Sequence, residues 1–430
     1  MGTSNTEIIT PAQSLSGSLR LPGDKSISHR YAMLAGIAEG TTKLENFSAA
    51  ADCANTVQCM EDLGASVQKV GGRVEITGMA RQLSSPTRPL DCGNSGSTMR
   101  MLAGILAGQE FSSELIGDES LSKRPMKRVI EPLSMMGADV HGTAEGRPPV
   151  HVRGGKLKGI HYKPPVASAQ VKSCVLFAGL FAQGETAVEE DVRTRDHGEL
   201  ALRAFGAELK RTRTSVAMEG GQPLHAIEAY VPGDMSSAAF FLCAAALFPD
   251  SNLVLDSVLL NPTRAGILDV LTTMGARVSF LQVEQQHSEL IGTVQFKSGK
   301  LKGAKISGAQ IAGMIDELPV LAALGPHTDD GIEIRDAREL RVKESDRIAA
   351  VAQNLRAMGA TVEEFDDGLR VPGRQKLHGA RIETFGDHRI AMAFAVTALR
   401  AEGPTEIMNA ECAAVSYPNF FKDLNRLVAR

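Results

Sequence analysis

Apolar and polar positions along this chain alternate over a long period. Six apolar runs of 12 or 13 residues each begin with small or polar residues: SISHRYAMLAGIA, NSGSTMRMLAGIL, SAQVKSCVLFAGL, MSSAAFFLCAAAL, MIDELPVLAALG and DHRIAMAFAVTAL. They start near Ser26, Ser95, Ser168, Ser236, Met314 and Asp387. Rich in helix formers and apolar nearly all round, they predict buried helices rather than amphipathic surface ones. A short strand-like stretch follows each run: TTKLENF, SSELIGD, ETAVEED, SNLVLDS, GIEIRDA and PTEIMNA. A more polar helix comes next, closed in five cases by Gly-Ala, at Gly64, Gly137, Gly206, Gly275 and Gly359. Glycine accepts the left-handed backbone that ends helices. Two further strands then close on Gly78, Gly154, Gly220, Gly299 and Gly373, which predicts a β-α-β-α-β-β unit.

The intervals between the Gly-Ala glycines are 73, 69, 69 and 84 residues. A period near 70 repeated six times is one supersecondary unit copied along the chain. Three repeats precede residue 221 and three follow it, and Pro-Gly-Asp stands at both Pro22–Asp24 and Pro232–Asp234. The sixth repeat lacks closing strands, whereas residues 7 to 21 form a strand segment with no repeat of their own. The expected organisation is therefore a domain of repeats 1–3 over residues 23–232 and a domain of repeats 4–6 over residues 1–22 and 233–430. The N-terminal strands would complete the sixth repeat. The two Pro-Gly-Asp sites would be the only crossings, a paired hinge on which the domains close around an anionic ligand.

Composition narrows the class. With 430 residues, 43% apolar and 22% charged, the chain can bury two substantial cores. A net charge of −4 points to neither a nucleic-acid nor a membrane partner. The longest apolar run, Ala238 to Phe248, is too short to span a bilayer, and the start carries no signal-peptide pattern, so a cytoplasmic protein is expected. Six cysteines without C-x-x-C spacing indicate neither a zinc site nor a disulfide framework.

Candidate chemistry gathers at helix starts. Gly23-Asp24-Lys25-Ser26, Gly93-Asn94-Ser95-Gly96-Ser97, Ser168-Ala169-Gln170 and Asp387-His388-Arg389 open four of the apolar runs. A helix N-terminus offers free N–H groups and the positive end of the macrodipole to an anion. The simpler reading is that Ser, Asn and Asp merely cap these helices. Lys25, Arg30, Arg100, Arg124, Arg128, Arg195, Lys343, Arg347 and Arg389 all fall at or beside element ends, a density that fits recognition of phosphate and carboxylate. The Lys25 segment is not a Walker A loop, because position 19 is Leu. Asp316 and Glu317 interrupt an apolar run, and Glu344 and Asp346 lie between Lys343 and Arg347. Carboxylates held among cations are candidates for general acid or base work, or else ion pairs fixing a helix start.

Nine segments together resemble 5-enolpyruvylshikimate-3-phosphate synthase: LPGDKSISHR, GNSGSTMR, GDESLSKRPMKRV, SAQVKS, RDHGE, LNPTRAG, IDELP, LRVKESDR and GDHRIAMAF, spread from Leu21 to Phe394. The resemblance runs from about residue 15 to residue 425 and implies a two-domain inside-out α/β barrel of six βαβαββ repeats, three per domain. It implies transfer of the enolpyruvyl group of phosphoenolpyruvate to the 5-hydroxyl of shikimate-3-phosphate, with phosphate released and no metal or organic cofactor. By the same resemblance, Lys25, Ser26, Arg30, Ser168, Ala169, Gln170, Arg195, Asp316 and Lys343 would bind shikimate-3-phosphate. Lys25, Asn94, Gly96, Arg124, Gln170, Arg347 and Arg389 would bind phosphoenolpyruvate. Asp316 would be the base, with Lys25 and Glu344 as the other catalytic residues, in a monomer whose partners are these two small molecules.

The chain departs from many members in two places. The C-terminal VSYPNFF carries Ser416 in a stretch where many have a Lys, and SAQ replaces a Ser-Ser-Gln form. A competing reading is UDP-N-acetylglucosamine enolpyruvyl transferase, which resembles this chain in architecture but places a reactive Cys in the loop of the second repeat. Ile116 to Pro125 contains none. A third reading, a non-catalytic sugar-phosphate-binding protein on the same scaffold, is expected to lack Lys25, Asp316, Glu344 and Arg389, all of which are present.

Overall fold

The computed structural model describes residues 5–430; Met1–Ser4, at the start of the predicted second domain, lie outside the described residues. Each apolar run forms a helix: Lys25–Ile37, Gly96–Ala107, Ala169–Gly179, Met235–Ala246, Leu318–Leu324 and His388–Ala398. In the Met235 helix all twelve residues are buried, as the absence of a polar stripe requires. The second helix of each repeat is the more polar one, and the five glycines that close it all have positive φ, from 91° at Gly359 to 110° at Gly275. That conformation is what excludes a side chain at these positions.

Among the described residues six sheets result, and they share one pattern. The first strand lies parallel to the second, as in Leu90–Asp91 with Ser112–Ile116 and His161–Tyr162 with Glu185–Glu189. The next strands add antiparallel. Parallel neighbours need a crossover, and the buried helix supplies it. Helices from adjacent repeats then pack closely: a Cβ at Gly104 would stand 2.2 Å from the carbonyl oxygen of Cys174, so the Gly96 and Ala169 helices meet only because position 104 is bare.

The strands ahead of the two Pro-Gly-Asp sites are exchanged. Ser14–Arg20, before the first, pairs in parallel with Asn252–Leu259, which follows the second. Glu228–Tyr230, before the second, pairs in parallel with Thr41–Glu45, which follows the first. Glu7–Ile9 pairs antiparallel with Thr405–Ile407 of the sixth repeat. The chain divides into two compact units, here unit I (Gly23–Val231 and Gln286–Glu289) and unit II (Met1–Pro22, Pro232–Gln285 and Leu290–Arg430).

The expectation of two crossings alone needs correction. The fourth repeat carries a long hairpin, Arg277–Gln286 with Glu289–Lys297, and its tip is grouped with unit I. Polar contacts hold the tip there, among them His287 Nε2 at 3.0 Å from the Glu228 carbonyl oxygen. Glu289 Oε1 lies 2.6 Å from Nδ1 of the buried His197, and the Tyr230 N–H donates to Gln286 Oε1 at 3.2 Å.

Candidate active site

In unit I, three helix starts carry the predicted anion-binding residues. Asp24, Ser95 and Ser168 cap the Lys25, Gly96 and Ala169 helices through their side chains, so these residues do act as caps. The cations beside them are held in place. Lys25 Nζ donates to Asp52 Oδ2 at 2.9 Å, with Asp52 in the first turn of the helix Ala51–Asp62. Arg30 is buried, and its hydrogen bonds go to neutral oxygens: the Ser173 hydroxyl at 3.0 and 3.2 Å, and the carbonyls of Ser26 at 2.9 Å and Ala169 at 3.5 Å. Burial pushes its pKa down to about 10, against the pull of Glu199 and Asp24.

Two more guanidiniums converge on the Gly96 helix start. Arg124 donates to Asn94 Oδ1 at 2.8 Å and to Ser120 Oγ at 3.2 Å, while Asn94 Nδ2 donates to Asp118 at 2.7 Å. Arg100 donates to Gln170 Oε1 at 2.8 Å, and Gln170 Nε2 donates to Ser97 Oγ at 2.8 Å. A Cβ at Gly96 would lie 2.9 Å from Arg100 Nη1 and 3.4 Å from Arg124 Nη1. The bare Cα is thus what lets both cations face this N-terminus. Arg195, half-buried, stands between two clamped neighbours: the Thr194 hydroxyl donates to Glu190, and Asp196 takes Arg193 at 2.8 Å and Arg211 at 2.9 Å.

In unit II, the arrangement centres on Arg347, 1% exposed at its side chain. Its Nε donates to Asp387 Oδ2 at 2.8 Å, Nη2 to Glu344 Oε2 at 2.6 Å and Nη1 to Asp316 Oδ1 at 3.3 Å. Burial works against the Arg347 charge, but Asp387 and Glu344 outweigh it and raise the pKa above the ordinary arginine value. Asp316 and Glu344 remain about one-fifth exposed, so each is pinned by Arg347 yet open on one side. Lys343 is half-buried; burial lowers its pKa while Asp316 and Glu339 oppose the shift. Arg389 differs from Arg347. Only 4% exposed, its side chain has no hydrogen bond or ion pair among the described residues, and it lies 5.8 Å from the Phe240 ring centre.

The two pairs of acidic candidates separate by role. Glu317 turns inward, fully buried, and accepts from the Ser236 hydroxyl, which in turn accepts from Arg264 at 2.6 Å. Asp316 faces Arg347. Asp346 caps the helix Arg347–Ala357 and binds Arg341 at 2.7 Å, a structural ion pair, whereas Glu344 faces Arg347. Sequence reasoning did not single out Asp52 or Ser173. Asp52 lies 27 residues from Lys25 on a different helix, and its only signal was an acid in a helix first turn. Burial raises the pKa of the Cys53, Cys174 and Cys243 thiols, and that of Cys412 to about 12, which makes these four poor nucleophiles.

Residues 9–424 match the family model of EPSP synthase (3-phosphoshikimate 1-carboxyvinyltransferase). The chain belongs to the EPSP synthase family. It is 64% identical over 423 residues to the 3-phosphoshikimate 1-carboxyvinyltransferase of Koribacter versatilis, covering 98% of this chain and 99% of that one. With the enzyme of the same description from Solibacter usitatus it shares 52% over 420 residues, 97% and 99% of the two chains. Among solved structures, EPSP synthase from Acinetobacter baumannii superposes with a TM-score of 0.88 at 41% identity, covering 99% of this chain and 98% of that one. The enolpyruvyl transferase NikO of Streptomyces tendae shares the fold, with a TM-score of 0.77 at 20% identity. The fold is accordingly the family's two-domain α/β fold of six βαβαββ repeats.

Proposed function

We propose that this chain acts as a 3-phosphoshikimate 1-carboxyvinyltransferase in which unit I supplies most of the charge that holds substrates and unit II supplies the proton-handling carboxylates. The observation that carries this division is the contrast between Arg30, bonded to neutral oxygens, and Arg347, bonded to three carboxylates. Lys25, Ser26, Arg30, Ser168, Ala169, Gln170, Arg195, Asp316 and Lys343 hold shikimate-3-phosphate. Lys25, Asn94, Gly96, Arg124, Gln170, Arg347 and Arg389 hold phosphoenolpyruvate.

The reaction is an addition followed by an elimination. A proton reaches the methylene carbon of phosphoenolpyruvate, positive charge develops at the adjacent carbon, and the 5-hydroxyl of shikimate-3-phosphate attacks there as Asp316 takes its proton. The tetrahedral adduct then loses a methyl proton and inorganic phosphate, which restores the double bond in the transferred group. Glu344 and Lys25 are placed in this proton traffic. Fixed guanidiniums and helix starts favour the charged transition states without reorganising, because their partners already hold them. The enzyme works in the cytoplasm as a monomer and needs neither metal nor organic cofactor.

Phosphate release measured with each candidate acceptor tests this reading. Release is expected only when shikimate-3-phosphate is present, and it should survive a metal chelator. Release that depended on UDP-N-acetylglucosamine, or that stopped on chelation, would refute it.

A further inference from the structure

Behind the Lys25 and Gly96 helix starts runs a row of buried polar side chains that the reaction does not use. His29 sits one turn along the helix from Lys25, and its Nδ1 is 2.6 Å from Thr56 Oγ1 on the helix Ala51–Asp62. Thr56 Oγ1 is 2.7 Å from Thr98 Oγ1 on the Gly96 helix. The Thr98 hydroxyl reaches Ser95 Oγ at 2.7 Å, and the Thr98 N–H reaches the same oxygen at 3.1 Å. Ser95 is the cap of the Gly96 helix, and all four side chains are fully buried.

The proton count gives the row a direction. Each hydroxyl has one proton to donate. The Thr98 proton goes to Ser95, so Thr98 Oγ1 accepts from Thr56 at 2.7 Å, a closer acceptor for the Thr56 proton than the Asp52 carbonyl at 3.3 Å; the Thr56 oxygen then accepts from Nδ1–H of His29. Nδ1 therefore carries a proton, and the state of Nε2 decides the charge of His29. Nε2 is buried and has no partner among the described residues, which suits a lone pair and would penalise an N–H. Burial, then the charges of Lys25 and Arg30, hold the His29 pKa well below its ordinary value, consistent with that tautomer.

Stability alone does not call for such a row. Valine has nearly the shape of threonine, and replacing both partners of a buried hydrogen bond by apolar groups of the same shape is close to neutral. What apolar contact lacks is direction, since side chains packed by burial alone can slide. The row links helices whose starts carry Lys25 and Asn94–Gly96, two parts of one anion site that must keep their spacing to within about half an ångström to act together. We propose that His29, Thr56 and Thr98 are positioning residues that register the Lys25 helix start against the Gly96 helix start for phosphoenolpyruvate. The proposal rests on the reading above that this substrate lies at the Gly96 helix.

The test is steady-state kinetics on Thr98→Val, Thr98→Ser and Thr56→Val. Losing the hydroxyl that braces the Ser95 cap should raise KM for phosphoenolpyruvate about tenfold, the scale of a weakened helix cap plus one lost bond. kcat and KM for shikimate-3-phosphate should stay within about threefold, and Thr98→Ser, which keeps the hydroxyl, should restore KM to within about twofold. One broken link opens the whole row, so the Thr56→Val/Thr98→Val pair should be no more than about twofold worse than the worse single variant. Arg124→Gln separates the two ideas. If it leaves KM for phosphoenolpyruvate unchanged, the placement of that substrate is wrong. If it raises KM while Thr98→Val does not, the positioning row is wrong. Equal losses for Thr98→Ser and Thr98→Val would likewise overturn it, as would fully multiplicative losses in the double variant. Should Thr98→Val fail to fold, Thr56→Val against Thr56→Ser gives the same decision.

Discussion

Arg30, in the second turn of the Lys25 helix of unit I, and Arg347, at the first position of its helix in unit II, are both buried, yet their surroundings are opposite. Arg30 is bonded to a hydroxyl and two carbonyls, and burial lowers its pKa to about 10. Arg347 is bonded to Asp316, Glu344 and Asp387, and its charge is reinforced. An arginine among neutral oxygens has its charge still to offer, so an anion that meets it relieves a burial cost. An arginine among carboxylates has most of its charge balanced, so it fixes where those carboxylates point and has less to offer a bound anion such as phosphoenolpyruvate. Arg389 sets the limit of the comparison, since it belongs to unit II but its side chain has no polar partner among the described residues and so resembles the unit I group.

The largest expected effect falls on the carboxylates. Asp316→Ala should lower kcat by about a thousandfold, within the usual range for removing a general base, while KM for phosphoenolpyruvate changes by less than about fivefold. A large rise in KM with kcat retained would make Asp316 a binding group and erase the contrast. Arg389→Ala comes next: removal of an unpaired buried guanidinium should raise KM for phosphoenolpyruvate about a hundredfold, the loss of a charge-assisted contact. If Arg389 took no part in holding the substrate, KM would hardly move. Gly96→Ala should have a smaller effect, raising KM for phosphoenolpyruvate about fivefold, because the new methyl would press Arg100 and Arg124 aside by tenths of an ångström. An unchanged KM would place the substrate elsewhere.

Much of this was legible in the sequence, and the parts that were not have identifiable causes. The repeat showed through because Gly64, Gly137, Gly206, Gly275 and Gly359 all end helices in a conformation open to little else. The hairpin Arg277–Lys297 was hidden by that same regularity, although the 84-residue interval after Gly275 was its trace. The cations at helix starts could be named one by one. Their partners could not, because Asp52 is 27 residues from Lys25, Ser173 is 143 from Arg30 and Asp387 is 40 from Arg347. Local pattern therefore named Asp316 and Glu317 together, and only packing turned one toward Arg347 and the other toward Ser236.

The smallest effect belongs to neither cation and concerns stability. Burial lowers the pKa of His327 to about 4, whereas an unfolded histidine titrates near 6.5. Between those values the unfolded chain binds the extra proton, so stability falls as pH drops through this window. His327→Asn should flatten that slope and raise the melting midpoint at pH 5 relative to pH 7 by a few degrees compared with the parent. Parallel curves for the two proteins would show that folding does not lower the pKa of this histidine.

Equilibrium binding of shikimate-3-phosphate to Asp316→Asn and Arg30→Gln, by calorimetry on the two purified variants, tests the division of labour most directly. Asp316→Asn is expected to bind within about threefold of the parent while turning over at about a thousandth of its rate, since the amide keeps a contact but cannot take the proton. Arg30→Gln is expected to bind about a hundredfold more weakly, the scale of a lost charge-assisted bond to an anion. Strong loss of binding in Asp316→Asn with near-normal binding in Arg30→Gln would contradict the account.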